Sequence, residues 1–152
     1  MTADNADKLN HAIEGWLQER QELIVLYCSV CGVHQQIIES PTKIQRLKTF
    51  CQILVDYCSA GHFEVFPELI KQAATSGEES STTANSLLGK IQDTTDISLD
   101  FNDRYETEEL PPEVLEPLSR HLSKLGEALE LRFHYEDQLV EYLHIPPSSA
   151  VA

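Results

Sequence analysis

Apolar positions in this chain recur at intervals of three and four residues, the period of an α-helix stepping about 100° per residue, and they fall into four blocks. The first block, about Ala6 to Cys31, sets Leu9, Ile13, Trp16, Leu23, Ile24, Tyr27 and Cys31 on one face, with Arg20 on the same stripe. Gly32 is its natural stop. The second runs from about Thr42 to Ala73 along Ile44, Leu47, Cys51, Leu54, Val55, Cys58, Phe66 and Leu69, with Phe50, Ile53 and Tyr57 off the main line. A helix apolar over more than half its circumference belongs at the centre of a bundle. The third, about Thr83 to Phe101, begins a stripe at Leu87, Leu88 and Ile91 and continues it poorly through Thr94, Thr95 and Ser98. The fourth, Glu113 to about His144, carries Leu118, Leu122, Leu125, Leu129, Phe133, Val140 and Leu143.

Connections follow from what interrupts these stripes. Residues 33–42 link the first two helices, and Ser40-Pro41-Thr42 marks the start of the second. The run Thr75–Ala84, TSGEESSTTA, reads as a polar loop, and Asn102–Pro112 as an acidic one closed by Pro111-Pro112. Pro146-Pro147 stops the last helix. Residues 1–145 read as a single helical-bundle domain and residues 146–152 as a disordered tail. Short connections between long helices predict an all-α, antiparallel four-helix bundle.

Several polar residues fall on apolar stripes. Arg20, His62, Arg132 and Glu136 all project toward the bundle interior or a groove along it, and buried charge is costly unless paired and hydrogen-bonded. One reading is a buried ion-pair network that sets helix register; another is a polar cavity or partner groove. On a different face of the second helix Asp56 and Phe63 lie seven residues apart, with Gln52 and Ser59 between them. A carboxylate beside an outward-facing aromatic resembles a recognition patch. Gly61, inside the helix, costs about 1 kcal/mol relative to Ala, which points to a close backbone approach.

Composition narrows the function. The 152 residues carry a formal charge of −14, distributed as net −3 over residues 1–77 and net −11 over residues 78–152. Such a surface repels nucleic acid and anionic membrane and favours a basic partner, or serves solubility alone. No apolar run reaches the roughly 18 residues of a membrane span, and the N-terminus lacks a charged-then-apolar signal, so a cytoplasmic location with reduced thiols is expected. Cys28-x2-Cys31 with Cys51 and Cys58 superficially suggests zinc or a redox pair. All four lie on helices, however, three of them on apolar stripes where Cys behaves as a small hydrophobe. Glu127, Glu130, His134, Asp137 and Glu141 share a face of the fourth helix, but Leu131 stands where a di-iron Glu-x-x-His spacing needs a glutamate. Gly-rich phosphate loops, G-x-S-x-G and H-E-x-x-H are all absent. Neither a metal nor a cofactor is expected.

Three segments resemble the Rsd/AlgQ family of bacterial anti-sigma regulators: Trp16-Leu17-x-x-Arg20-x-x-Leu23-Ile24, then Leu54-Val55-Asp56-Tyr57-x-Ser59-Ala60-Gly61-His62-Phe63, then Leu125-Gly126-Glu127-Ala128-Leu129-Glu130-x-Arg132-Phe133-x-x-Glu136-Asp137-x-Leu139. The match spans the first, second and fourth helices; Thr75–Pro112 has no recognisable counterpart, and Cys28, Cys31 and Cys58 look peculiar to this chain. The resemblance implies a non-enzymatic bundle that binds region 4 of the primary sigma factor, one to one, and keeps it from core RNA polymerase and the −35 element. It implies that Asp56 pairs with an arginine of that basic helix-turn-helix module, that Phe63 and Tyr57 are apolar anchors beside Gln52 and Ser59, and that Arg20, His62, Arg132 and Glu136 shape the groove Asp56 borders. Non-catalytic adaptors on the same fold and metal-binding bundles are the alternatives.

Overall fold

Nearly every described residue is helical. The computed structural model describes residues 3–33 and 41–143 and has α1 at Ala3–Val33, α2 at Pro41–Ala60, a π-helical turn at Gly61–Val65, and α3 at Phe66–Ser76. α4 follows at Glu78–Tyr105, a single turn α5 at Pro112–Leu115, and α6 at Leu118–Leu143. The expected connection over residues 34–40 and the tail beyond residue 143 lie outside the described residues.

Four rods result: α1, the α2–α3 run, α4 and α6. Trp16 meets Tyr57 while Tyr27 meets Phe50, so α1 and α2 are antiparallel. Thr94 and Thr95 meet Arg132 while Tyr105 meets His121, so α4 and α6 are antiparallel too. Leu9, Ile13, Trp16 and Leu23 of α1, Leu47, Cys51, Leu54 and Cys58 of α2, and Leu118, Leu122, Leu125 and Leu129 of α6 form the core, as their spacing predicts, and Phe50 and Tyr57, off the main line of α2, are buried with them. Val30 and Leu139 join it, and Ile24 instead reaches the surface.

The structure corrects the sequence reading at its joints. The second block is not one uniform helix. Pro67 has no N–H and its ring would collide with the carbonyl four residues back in an α-helix. The chain widens instead: the Phe66 N–H donates to the Gly61 carbonyl, five residues earlier. Phe66 and Leu69 are buried as their spacing predicts and Val65 joins them, while His62, expected in the middle of the stripe, is exposed. Gly61 makes the widened turn possible in this packing, since a Cβ there would lie 2.9 Å from Cζ of Phe66 and 3.2 Å from Nε1 of Trp16.

The expected polar loop at 75–84 is helical on both sides of Gly77, whose φ of +124° suits glycine. Glu78 and Glu79 sit in the first turn of α4, where the helix dipole favours acids. The Thr75 and Ser76 hydroxyls both donate to the Gln72 carbonyl, which ends α3. α4 also outruns its expected end at Phe101, because Tyr105 is fully buried and bonded to His121. The fourth block breaks at Glu116–Pro117, where proline cannot continue the preceding turn, and the His121 N–H restarts the helix on the Pro117 carbonyl.

Candidate functional site

At the middle of the bundle a chain of charged hydrogen bonds joins all four rods. Arg132 and Glu136, one turn apart on α6, are both 0% exposed, and Arg132 Nε donates to Glu136 Oε2 at 2.9 Å. Glu136 Oε1 accepts from Tyr57 Oη of α2 at 2.6 Å and from Arg20 Nη2 of α1 at 3.1 Å. Arg20 Nε donates to Tyr57 Oη at 3.0 Å, and Arg20 Nη1 to Asp137 at 2.7 Å. On the far side Arg132 Nη1 donates to Thr95 Oγ1 at 2.6 Å and Thr94 Oγ1 at 3.3 Å. The threonines and serine that break the α4 stripe are therefore its polar contribution to the core: Thr94 and Ser98 also bond back to carbonyls of their own helix.

Aromatic rings enclose this network. Trp16 stacks on Tyr57 at 5.4 Å, Phe66 meets Trp16 edge-on at 5.7 Å, and the Arg20 guanidinium lies 4.8 Å from the Phe133 ring. Burial pushes the Glu136 carboxyl up against the opposing pull of Arg132, Tyr57 and Arg20. Burial and the neighbouring Glu136 likewise raise the Tyr57 phenol. For Arg20 burial acts to lower the value, and Tyr57, Asp137 and Glu136 more than reverse it. Arg20, Arg132 and Glu136 thus form an ion-pair network rather than an open polar cavity, and Tyr57, 0% exposed and bonded at its hydroxyl, is unable to serve as a surface anchor.

An apolar groove of about 240 Å³ does run between α1 and α6, over Leu23, Ile24, Leu129 and Phe133. The Arg20–Asp137 bridge closes one end and the Tyr27 Oη donation to the Leu122 carbonyl, at 2.7 Å, closes the other. Gly126 permits that bond, because a Cβ there would meet the Tyr27 hydroxyl. Neither Asp56 nor His62 lines this groove.

Asp56 lies instead on an outer face shared by α1, α2 and the π turn. Phe63 is 74% exposed, with His62 edge-on at 4.8 Å. Gln52 Nε2 donates to Asp56 Oδ1 at 3.2 Å; both are exposed, and Ser59 is half-buried. Two carboxylates not anticipated as site residues complete the face. Glu19, on α1, has its pKa raised by burial first and then by Glu64, Asp56 and Glu22, and its Oε2 is buried without a hydrogen-bond partner among the described residues. The sequence carried no signal for this, since Glu19 meets Asp56 and Glu64 only through the packing of α1 on α2 and the π turn. Cys51 and Cys58 are buried, and burial pushes the Cys51 thiol up to about 12.

Fold and site together define an all-α helical bundle with a buried ion-pair network and an acidic outer face. A family described as Regulator of RNA polymerase sigma(70) subunit, Rsd/AlgQ, matches residues 2–144. Proteins named Regulator of sigma D are similar over most of their length. That of Yersinia enterocolitica is 34% identical over 134 residues, 88% of this chain and 80% of the relative. That of Pectobacterium atrosepticum is 32% identical over 136 residues, 89% of each. No solved structure matches significantly. The chain belongs to the Rsd/AlgQ family, whose members regulate the sigma(70) subunit and are not enzymes.

Proposed function

We propose that this protein is a cytoplasmic anti-sigma regulator that binds region 4 of the primary sigma factor one to one and holds it away from core RNA polymerase and the −35 element. The observation that carries the reading is an acidic outer face on which Glu64 and Asp56 press on Glu19, with Phe63, next to Glu64 in the chain, 74% exposed. Glu64 and Asp56 repel the Glu19 carboxylate there, and Glu19 Oε2 is buried without a hydrogen-bond partner among the described residues. A basic partner relieves that repulsion, and an arginine opposite Asp56 or Glu19 forms a charge-assisted bond worth about 1.5–3 kcal/mol. Phe63 supplies apolar contact at the centre, with Gln52 and Ser59 at its margin. Arg20, Arg132 and Glu136 act indirectly, by holding α1, α2 and α6 in the register that presents this face. A strongly acidic bundle over a basic DNA-reading module excludes its competitors by bulk and charge.

Titration calorimetry with region 4 of the host's primary sigma factor tests this. Wild type should bind one to one, and Asp56→Ala and Phe63→Ala should each weaken binding at least tenfold. Binding indifferent to both substitutions would move the interface elsewhere, and no binding would end the anti-sigma reading.

A further inference from the structure

The end of α4 far from Gly77 brings basic groups of two helices together. Arg104 of α4 and Arg120, His121 and Lys124 of α6 gather at one place in a chain with only 11 lysines and arginines and a net charge of −14. The described ion pairs engage Arg20, Arg132 and Lys71; Arg104, Arg120 and Lys124 form none among the described residues. Arg104, His121 and Lys124, with Asp100, line a cleft of about 130 Å³ between α4 and α6 over an apolar floor of Phe101 and Leu125.

The hydrogen bonding beneath the cleft favours an anion as well. Tyr105, fully buried, lies with its Oη 2.6 Å from His121 Nδ1. Burial holds the Tyr105 phenol protonated, with a pKa of about 12. Burial and the three nearby cations lower the His121 pKa. With the phenol as donor to Nδ1, a neutral imidazole carries its proton on Nε2, an N–H donor on a residue that lines the cleft together with a guanidinium and an ammonium. The volume corresponds to about four waters at ~30 Å³ each, the size of one tetrahedral oxyanion and below the roughly 300 Å³ of a nucleotide- or drug-sized site. Arg104 is ten residues along α4 from Thr94, about 15 Å from the core network, so the cleft is separate from the Asp56 face.

We propose that the cleft formed by Arg104, His121 and Lys124 is a binding site for a phosphate-type oxyanion, either inorganic phosphate or the phosphoryl group of a small metabolite. Arginine and lysine supply the charge, the imidazole N–H supplies direction, and Asp100 on the rim limits affinity. The groups facing His121 are Arg104, Asp100 and Tyr105 from α4 and Arg120 and Lys124 from its own helix. A bound oxyanion offsets the cations among them, so occupancy raises the His121 pKa.

The experiment follows the His121 ring by NMR in the full chain, titrated with inorganic phosphate at constant ionic strength held with chloride. Glucose 6-phosphate in a parallel series distinguishes a phosphoryl group on a carrier from the free ion. The expected result is a saturable shift, a raised His121 pKa, and at least tenfold weaker binding in Arg104→Gln/Lys124→Gln. Those two side chains are exposed and make no ion pair, so the variant folds; Lys71→Gln, a distant cation, should leave binding unchanged. Asp100→Asn should tighten it severalfold. A shift that fails to saturate, that chloride reproduces, or that survives the double substitution would overturn the site, as would Asp100→Asn without effect.

Discussion

Replacing Glu136 with Gln keeps the shape of the side chain and removes the one carboxylate that touches Arg132. The guanidinium of Arg132 is 0% exposed and its other polar partners are the neutral Thr94 and Thr95, so the substitution leaves a buried charge uncompensated. Such losses run to about 3–5 kcal/mol. Arg132→Met is milder, about 1–3 kcal/mol, because Glu136 keeps Arg20 and Tyr57. In the double variant the uncompensated charge is gone, so its loss should fall short of the sum of the singles by about 1–3 kcal/mol. Urea unfolding at neutral pH measures this: with a slope of about 2 kcal/mol per molar, Glu136→Gln should lower the midpoint by about 1.5–2.5 M. A Glu136→Gln loss under about 1 kcal/mol, or strictly additive losses, would refute the view that the pair is buried and mutually dependent.

Gly61→Ala should destabilise by about 1–3 kcal/mol through overpacking against Phe66 and Trp16, whereas Gly89→Ala, which faces open space on α4, should be neutral or stabilising in thermal melts. His121 makes stability pH-dependent. Its folded pKa lies below the ordinary 6.5, so the unfolded chain binds the proton more readily; the contribution is complete above pH 6.5 and is lost as pH falls through the folded value. Unfolding midpoints across that range should show the slope in wild type and lose it in His121→Asn. Phe63→Ser should leave the melting temperature nearly unchanged, since 74% of the ring is already in solvent, while binding to sigma region 4 falls at least tenfold.

Much of the bundle was legible because its stripes are regular: Leu118, Leu122, Leu125 and Leu129 are buried as their spacing demands. Arg20, Arg132 and Glu136 announced themselves by standing on apolar faces, and they meet in the core. What escaped was whatever depends on two helices at once. Thr94 and Thr95 look like a failing stripe until Arg132 is placed opposite them, and Tyr57 looks like an available anchor until Glu136 claims its hydroxyl. His62 was misplaced for a different reason: a constant 100° step fails wherever a proline forces the turn to widen. The helical run through Thr75–Ala84 was hidden by composition, since serines and threonines that favour loops in isolation here bond to helix carbonyls.

A residue added to a helical turn alters direction as much as length. The turn at Gly61–Val65 takes up such a residue between α2 and α3 by widening, and the two continue as one rod. Deleting one residue there would let an ordinary α turn replace the wide one, with α3 still facing the core. The wide turn is thus the place in this rod where the chain takes in an extra residue without moving either buried face.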